Sequence, residues 1–346
     1  MKALTLTALG GPEHLVVQDV PPPRLEAADQ VLIRIRAAAL NHLDLFVAGG
    51  LPGIGYNFPH VVGADGAGII EAAGPEVTAF QPGDRVMVNP GVSCQACEYC
   101  LAGEHPLCPS YQVLGEHRPG TIAEYLVVPE RNLARLPEAM GWPQAAAFSM
   151  ATLTAWRMLV NRAALRAGET VLIWGVGGGV ALASVQIAHL LGARVIATSS
   201  SAAKLALASR LGADVTLNHS EVDVAKEVRR LTDRRGVEVV VDSVGEKTWE
   251  QSLRCLARLG RLVTCGATTG PFCVTDVRKL FWYQWSILGS TMGSHGEYRR
   301  IVDLAHQGRL WPVVDSIVPL DEAHRAFERM HAGAQTGKIV IEVTRE

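Results

Sequence analysis

The chain has 346 residues, 48% of them hydrophobic and 19% charged. That balance excludes a disordered or fibrous protein and, at ~100–200 residues per domain, points to two domains. With 32 basic and 34 acidic residues the net charge is −2, and no Lys/Arg-rich block occurs. The electrostatic footprint of a nucleic-acid binder is missing, so the expected partners are small molecules or further copies of the chain.

Met1 to Thr7 alternates as a strand does and lacks the apolar stretch and small-residue cleavage site of a secretory signal, so the chain is read as cytoplasmic. From there to about residue 135, β-branched runs at 31–36, 68–71, 84–88 and 124–128 are separated by Gly- and Pro-rich turns, and this half is read as mostly β. Four of the seven cysteines fall within it as Cys94-x2-Cys97-x2-Cys100-x7-Cys108. An odd count clustered in this way does not fit a secreted disulfide framework. Four thiolates fit one closed tetrahedral zinc shell with no open position for substrate, hence one structural ion per chain. An iron–sulfur cluster competes with it, because bacterial ferredoxin motifs also begin with two x2 steps; their last gap is three residues, against seven here.

Residues 144–162 read as a buried helix, and beyond them apolar strands alternate with helices. Strands are expected at 171–174, 194–198, 215–217, 237–242, 261–265 and 287–290, with helices at 178–191, 202–211, 224–232 and 247–256. Six strands with crossover helices imply a parallel, doubly wound sheet whose ligand lies at the carboxyl ends of its first and fourth strands. Residues 170–193 carry no charge and are long enough to cross a bilayer, but Gly175, Gly177, Gly178 and Gly179 make a spanning helix improbable, and no membrane association is expected.

These glycines, with Val180 and Ala181, sit where a strand turns into a helix. A dinucleotide's phosphates meet free N–H groups and the positive dipole end at such a place. Strict GxGxxG fails; GxxGxxA runs Gly175, Gly178, Ala181. An acidic residue at the end of the second strand would mark NAD, yet the stretch reads Ser199-Ser200-Ser201 with Lys204 beyond, which favours NADP(H) over NAD(H). His219, after the third strand, is a candidate to stack on the adenosine, and equally an ordinary loop histidine. After residue 292, helices at 296–307 and 322–331 and strands at 317–319 and 338–342 have no sheet of their own to complete. They are expected to return to the amino-terminal half, leaving a cleft between two lobes.

The cysteine quartet, the glycine turn, Pro82-Gly83-Asp84-Arg85-Val86 and the closing Gly337-Lys338-Ile339-Val340 together resemble the medium-chain dehydrogenase/reductase superfamily, which contains the zinc alcohol dehydrogenases and quinone oxidoreductases. The resemblance covers essentially the whole chain. It implies an α/β fold: a GroES-like, mostly β catalytic domain (1–150 and 293–346, with a structural zinc lobe near 90–110) and a Rossmann coenzyme domain with a doubly wound parallel sheet (151–292). It also implies a homodimer or homotetramer joined through the edge strand near 287–290. Where zinc alcohol dehydrogenases hold a catalytic ion with a Cys, a His followed by Glu, and a second Cys, this chain has Asn41, Ala64 followed by Asp65, and Met150. Residues 39–44 and 148–156 are similar instead to the zinc-independent quinone oxidoreductase branch.

Without a Lewis acid to stabilise an alkoxide, alcohol oxidation is disfavoured, whereas a quinone or conjugated carbonyl accepts hydride and spreads the charge itself. The expected reaction is therefore hydride transfer from NADPH to such an acceptor. Asn41 and Asp44 are the candidates for holding nicotinamide and substrate, Asp65 for fixing the loop, and His42 for relaying a proton. Gly266, Ala267 and Thr268 are expected to border the nicotinamide. An alcohol dehydrogenase with a remodelled catalytic metal site and a non-catalytic nucleotide-binding protein are the alternatives.

Overall fold

Strand Gln30–Ala39 alternates half-buried and buried side chains over most of its length, as a strand with one face on a core does. It is the hub of a seven-stranded sheet in a computed structural model that describes residues 1–344. The spatial order is Leu133–Arg135, Arg85–Val88, Asp65–Ala73, Gln30–Ala39, Lys338–Glu342 and Val314–Pro319, with Tyr125–Pro129 also paired to the hub. Antiparallel register places Ala39 opposite both Asp65 and Val340. Residues near 41, 65 and 338, remote in sequence, are thereby brought to one end of three adjacent strands. Leu4, Ile33, Ile35, Leu40, Ile70 and Phe327 belong to the core behind them. This unit comprises Met1–Ala151 and Gly293–Glu346; the second comprises Thr152–Met292.

The second unit is a six-stranded parallel sheet in the order Val215–Asn218, Arg194–Ser199, Thr170–Ile173, Val237–Val241, Leu256–Thr264 and Ser286–Gly289. Numbered from its own first strand, this is the order 3-2-1-4-5-6 of a dinucleotide fold. Thr170–Ile173 is buried along its whole length, as strands covered on both faces are. The strand turns into helix Gly179–Leu190 through Gly175, whose φ of 66° lies in the left-handed region that favours glycine.

Several elements differ from the sequence expectation. The helix expected over 144–162 is α-helical over Trp142–Trp156 and then widens into a π-helix, Arg157–Arg162, where Ala163 N–H reaches back five residues to Met158 O at 2.8 Å. The strand expected at 261 begins at Leu256, because Leu256 pairs with Val237 before an irregularity that carries the register to Arg261 opposite Val239. Leu259, at φ 61°, lies in that irregular stretch. Strand Leu15–Asp19 and the seven-residue helix Val277–Tyr283 were not anticipated. Both are short, and neither buries a full apolar face. No helix among the described residues is long and apolar enough to cross a membrane.

Asp242, fully buried at the end of the fourth parallel strand, accepts from Val244 N–H, Gly245 N–H, Thr248 Oγ1 and Ser252 Oγ at 2.6–3.0 Å. Removing the carboxylate strands several buried donors, each worth about 1–3 kcal/mol. Asp242→Ala is therefore expected to lower unfolding free energy by at least about 2 kcal/mol, read by urea denaturation.

Candidate functional site

Asp65 is fully buried, and its carboxylate has no free face. Oδ1 accepts from Met150 N–H at 2.7 Å; Oδ2 accepts from Asn41 Nδ2 at 3.0 Å and from the Lys338 ammonium at 2.8 Å. Thr121 Oγ1 donates to the Asp65 carbonyl at 2.7 Å. Lys338, whose side chain is 4% exposed, also donates to Asn41 Oδ1. Asn41 begins helix His42–Gly49, and its own N–H donates to Asp44 Oδ2 at 2.7 Å. Asn41, Asp44, Asp65 and Met150 thus meet around Lys338, which in the sequence stands out only as part of a closing motif. The available signal was a lone lysine at the head of an apolar strand in a chain with few lysines.

A buried ammonium beside a buried carboxylate is tolerable only when both are paired and hydrogen-bonded, and here both are. Burial raises the pKa of Asp44 to about 7, against the opposing pull of Asn41 N–H and the Lys338 charge. The protein packed around His42, followed by the Lys338 charge, lowers the imidazole's pKa, although the side chain keeps solvent contact. A neutral His42 can both donate and accept. Ala64, buried beside Asp65, offers no ligand atom.

In the parallel-sheet unit, Thr198 Oγ1 accepts from Gly175 N–H at 3.3 Å and lies 3.4 Å from His219 Nδ1. The His219 ring is 6.1 Å from that of Trp174. Ser199 Oγ accepts from Ser201 N–H at 3.2 Å, and Ser200 is exposed beside it. Lys204 lies across the turn: a Cβ on Gly177 would meet its Cδ at 2.8 Å. Gly178 caps the helix that begins Gly179-Val180, and the first N–H groups of that helix have no intrahelical acceptor. On the neighbouring strand's carboxyl side, Thr268 N–H donates to Ser243 O at 3.3 Å, fixing the loop that contains Gly266 and Ala267. Gly175, Gly177, Ser199, Ser200, Lys204 and His219 are brought to one edge of the sheet.

The Sγ atoms of Cys94, Cys97, Cys100 and Cys108 all lie within 4.8 Å of one another. Four sulfurs at about 2.3 Å from one zinc would stand about 3.8 Å apart, close to the 3.9 Å between Cys94 and Cys100. N–H groups of Ala96 and Cys97 lower the Cys94 thiol to about 6, while burial pushes Cys100 up to about 11. So dense a group of sulfurs cannot all ionise without a cation, and a divalent ion fits this donor set.

Residues 27–138 match the alcohol dehydrogenase GroES-like domain and residues 179–307 the zinc-binding dehydrogenase family. The NAD-dependent alcohol dehydrogenase of Sulfolobus acidocaldarius is 31% identical, with 99% of this chain and 100% of that protein aligned. The quinone oxidoreductase of Pseudomonas aeruginosa is 34% identical over 98% of this chain and 99% of its own length. A crystal structure of an NAD-dependent alcohol dehydrogenase, 45% identical, superposes with a TM-score of 0.95 over 99% of this chain and 100% of that one. A crotonyl-CoA carboxylase/reductase structure, 25% identical, gives 0.93 over 100% of this chain and 89% of that one. The chain belongs to the medium-chain dehydrogenase/reductase superfamily, with a GroES-like domain and a Rossmann-like parallel sheet, and it is an oxidoreductase.

Two outcomes are expected from these geometries. Cys97→Ser lowers zinc content, measured by plasma emission, together with the thermal midpoint. Asp44 has a folded pKa of about 7 against 3.8 when unfolded, so between these values the folded state keeps a proton that the unfolded state has lost. Its contribution to stability therefore falls as pH rises across that window. Asp44→Asn removes this slope, and urea denaturation at pH 4.5 and 7.5 should show the variant gaining on the native protein at the higher pH.

Proposed function

We propose that this oxidoreductase reduces a quinone or α,β-unsaturated carbonyl with NADPH, without a catalytic metal. The observation that carries the reading is the Lys338 ammonium, which occupies Asn41 and Asp65 at two of the positions where zinc alcohol dehydrogenases differ from this chain. A metal would have to displace that cation, and neither Ala64 nor Met150 would repay the loss. NADPH, when bound, supplies the hydride; the residues of the chain supply position and electrostatics.

In this reading the N–H groups of Gly178, Gly179 and Val180 hold the diphosphate, with Lys204 above Gly177. Ser199 and Ser200 receive the 2′-phosphate, His219 lies by the adenosine, and Gly266, Ala267 and Thr268 border the nicotinamide. Asn41 and Asp44 shape the substrate side, Asp65 and Lys338 hold them in place, and His42, neutral near pH 7, relays the proton that completes reduction. One zinc ion, held by Cys94, Cys97, Cys100 and Cys108, stabilises its lobe and takes no part in the reaction. Crotonyl-CoA is itself an α,β-unsaturated thioester, so the name of that structural relative supports a conjugated acceptor. The names of other relatives favour NAD and alcohols; the case for NADPH rests on this chain's own residues. Among the described residues, strand Ser286–Gly289 is paired on one side only, and it follows the exposed Phe281 and Trp282, which supports a homodimer formed by pairing two such edges.

Ser199→Asp is expected to reverse a preference for NADPH over NADH by repelling the 2′-phosphate, read as the ratio of kcat/KM values. Lys338→Met leaves Asp65 buried and unpaired at a cost of about 3–5 kcal/mol. It should lower kcat for benzoquinone reduction by about tenfold or more, while Lys338→Arg, which keeps the charge, retains more activity. Quinone reduction by the native protein should survive EDTA. Alcohol oxidation that is lost on chelation and restored by zinc would overturn the proposal.

A further inference from the structure

The parallel-sheet unit has a concave feature at the edge opposite the glycine turn. Arg254 closes helix Glu246–Cys255 just before a strand begins at Leu256, Trp285 immediately precedes strand Ser286–Gly289, and Arg234 precedes strand Val237–Val241. All three therefore mark the amino ends of parallel strands, whereas Gly175 follows a carboxyl end. They line a cavity of about 570 Å³ together with Lys226, Arg229, Arg230 and Lys279, a volume within the ~300–1,000 Å³ of small-molecule sites.

Six cationic side chains converge there in a chain whose net charge is −2. Internal carboxylates offset only part of this charge. Asp223 serves both Lys226 at 3.8 Å and Arg254 at 3.4 Å, and Glu227 is taken by Arg230 at 2.8 Å. Asp276, near Lys279, is engaged by Arg278 at 3.0 Å. Arg229 is the floor: its guanidinium donates to the carbonyls of Arg234, Arg235, Arg254 and Leu256 at 2.8–3.2 Å and, among the described residues, forms no ion pair with a carboxylate. Its structural task is to tie a helix end to a strand start, and all five of its N–H donors are used in doing so; it adds positive charge to the cavity floor but no free donor. The side chain of Arg234 forms no hydrogen bond or ion pair among the described residues and is exposed at the rim. Helix C-termini attract cations in general, which accounts for Arg230 and Arg254; it does not account for Arg234 or Lys279, which lie outside those helices.

The aromatic residues decide what kind of anion fits. Tyr283 is stacked on Trp285 at 5.1 Å and carries the Arg258 guanidinium 5.1 Å from its centre, and Trp285 Nε1 donates to Ala257 O. The ring system is committed to these internal contacts and offers no evident platform for a planar base. Guanidinium and ammonium groups around an open cavity, with Arg234 and Lys279 at its rim, match phosphate oxygens. We propose that this cavity is a binding site for a small polyphosphate anion, recognised through its di- or triphosphate group and separate from the coenzyme edge.

The test is calorimetric titration of the full-length protein with inorganic tripolyphosphate at low ionic strength, in the presence of saturating NADPH. One site per chain is expected, weakening with added salt and weakening roughly tenfold or more in Arg234→Ser/Lys279→Ser, since charge-assisted contacts are lost. Lys204→Ser, at the coenzyme edge, should leave that binding unchanged. Arg234→Glu alone, at an exposed position, should weaken it in the same direction, and an unaltered thermal midpoint in each variant shows the fold intact. Titration with ATP should show no gain over tripolyphosphate. Absence of binding to the native protein would overturn the site, as would binding that disappears in Lys204→Ser and persists in the double variant. Much tighter binding of ATP would overturn recognition through phosphate alone.

Discussion

One buried ion pair organises the end of the antiparallel sheet where residues 41, 65 and 338 meet. Lys338 reaches Asp65 and Asn41 because three antiparallel strands hold residues far apart in the chain in fixed register. Lost solvation makes such a pair expensive, and it persists only where every lone pair and proton finds a partner. Asp65 meets that condition through Met150, Asn41 and Lys338. Burial dominates the acidity of its neighbours, raising the pKa of Asp44 and lowering that of His42, and the Lys338 charge adds a smaller downward pull on both.

The same pair separates the roles of the two candidate metal positions. At the cysteine quartet, four sulfurs with mismatched thiol acidities crowd together, and a divalent ion bound there would relieve the crowding. Around Asp65 the positive charge is already present as part of the polypeptide, attached to the last described strand. A protein-borne cation cannot polarise an alcohol as zinc does, since it offers hydrogen bonds rather than an open coordination position. A conjugated acceptor makes smaller demands, because charge arriving with hydride is delocalised.

The parallel sheet was legible because its strands are continuous apolar runs separated by amphipathic helices, a pattern local to each element. The glycine turn and the serines after the second strand were legible for the same reason, as one strand end fixes their neighbours. Lys338 was not. Its importance comes from a register between strands some three hundred residues apart, and nothing within a few residues of it signals an ion pair. The irregular start of strand Leu256–Thr264 was likewise hidden, since a bulge depends on the partner strand. The basic cavity is not legible in the sequence because its residues come from three helices and the connections between them.

The most direct test of a metal-free reaction centre is a zinc-edge anomalous difference map from crystals grown with coenzyme and excess zinc. The expected result is one peak per chain, enclosed by Cys94, Cys97, Cys100 and Cys108, with Lys338 Nζ still between Asn41 and Asp65. A second peak within bonding distance of Asp65, with Lys338 displaced, would contradict it.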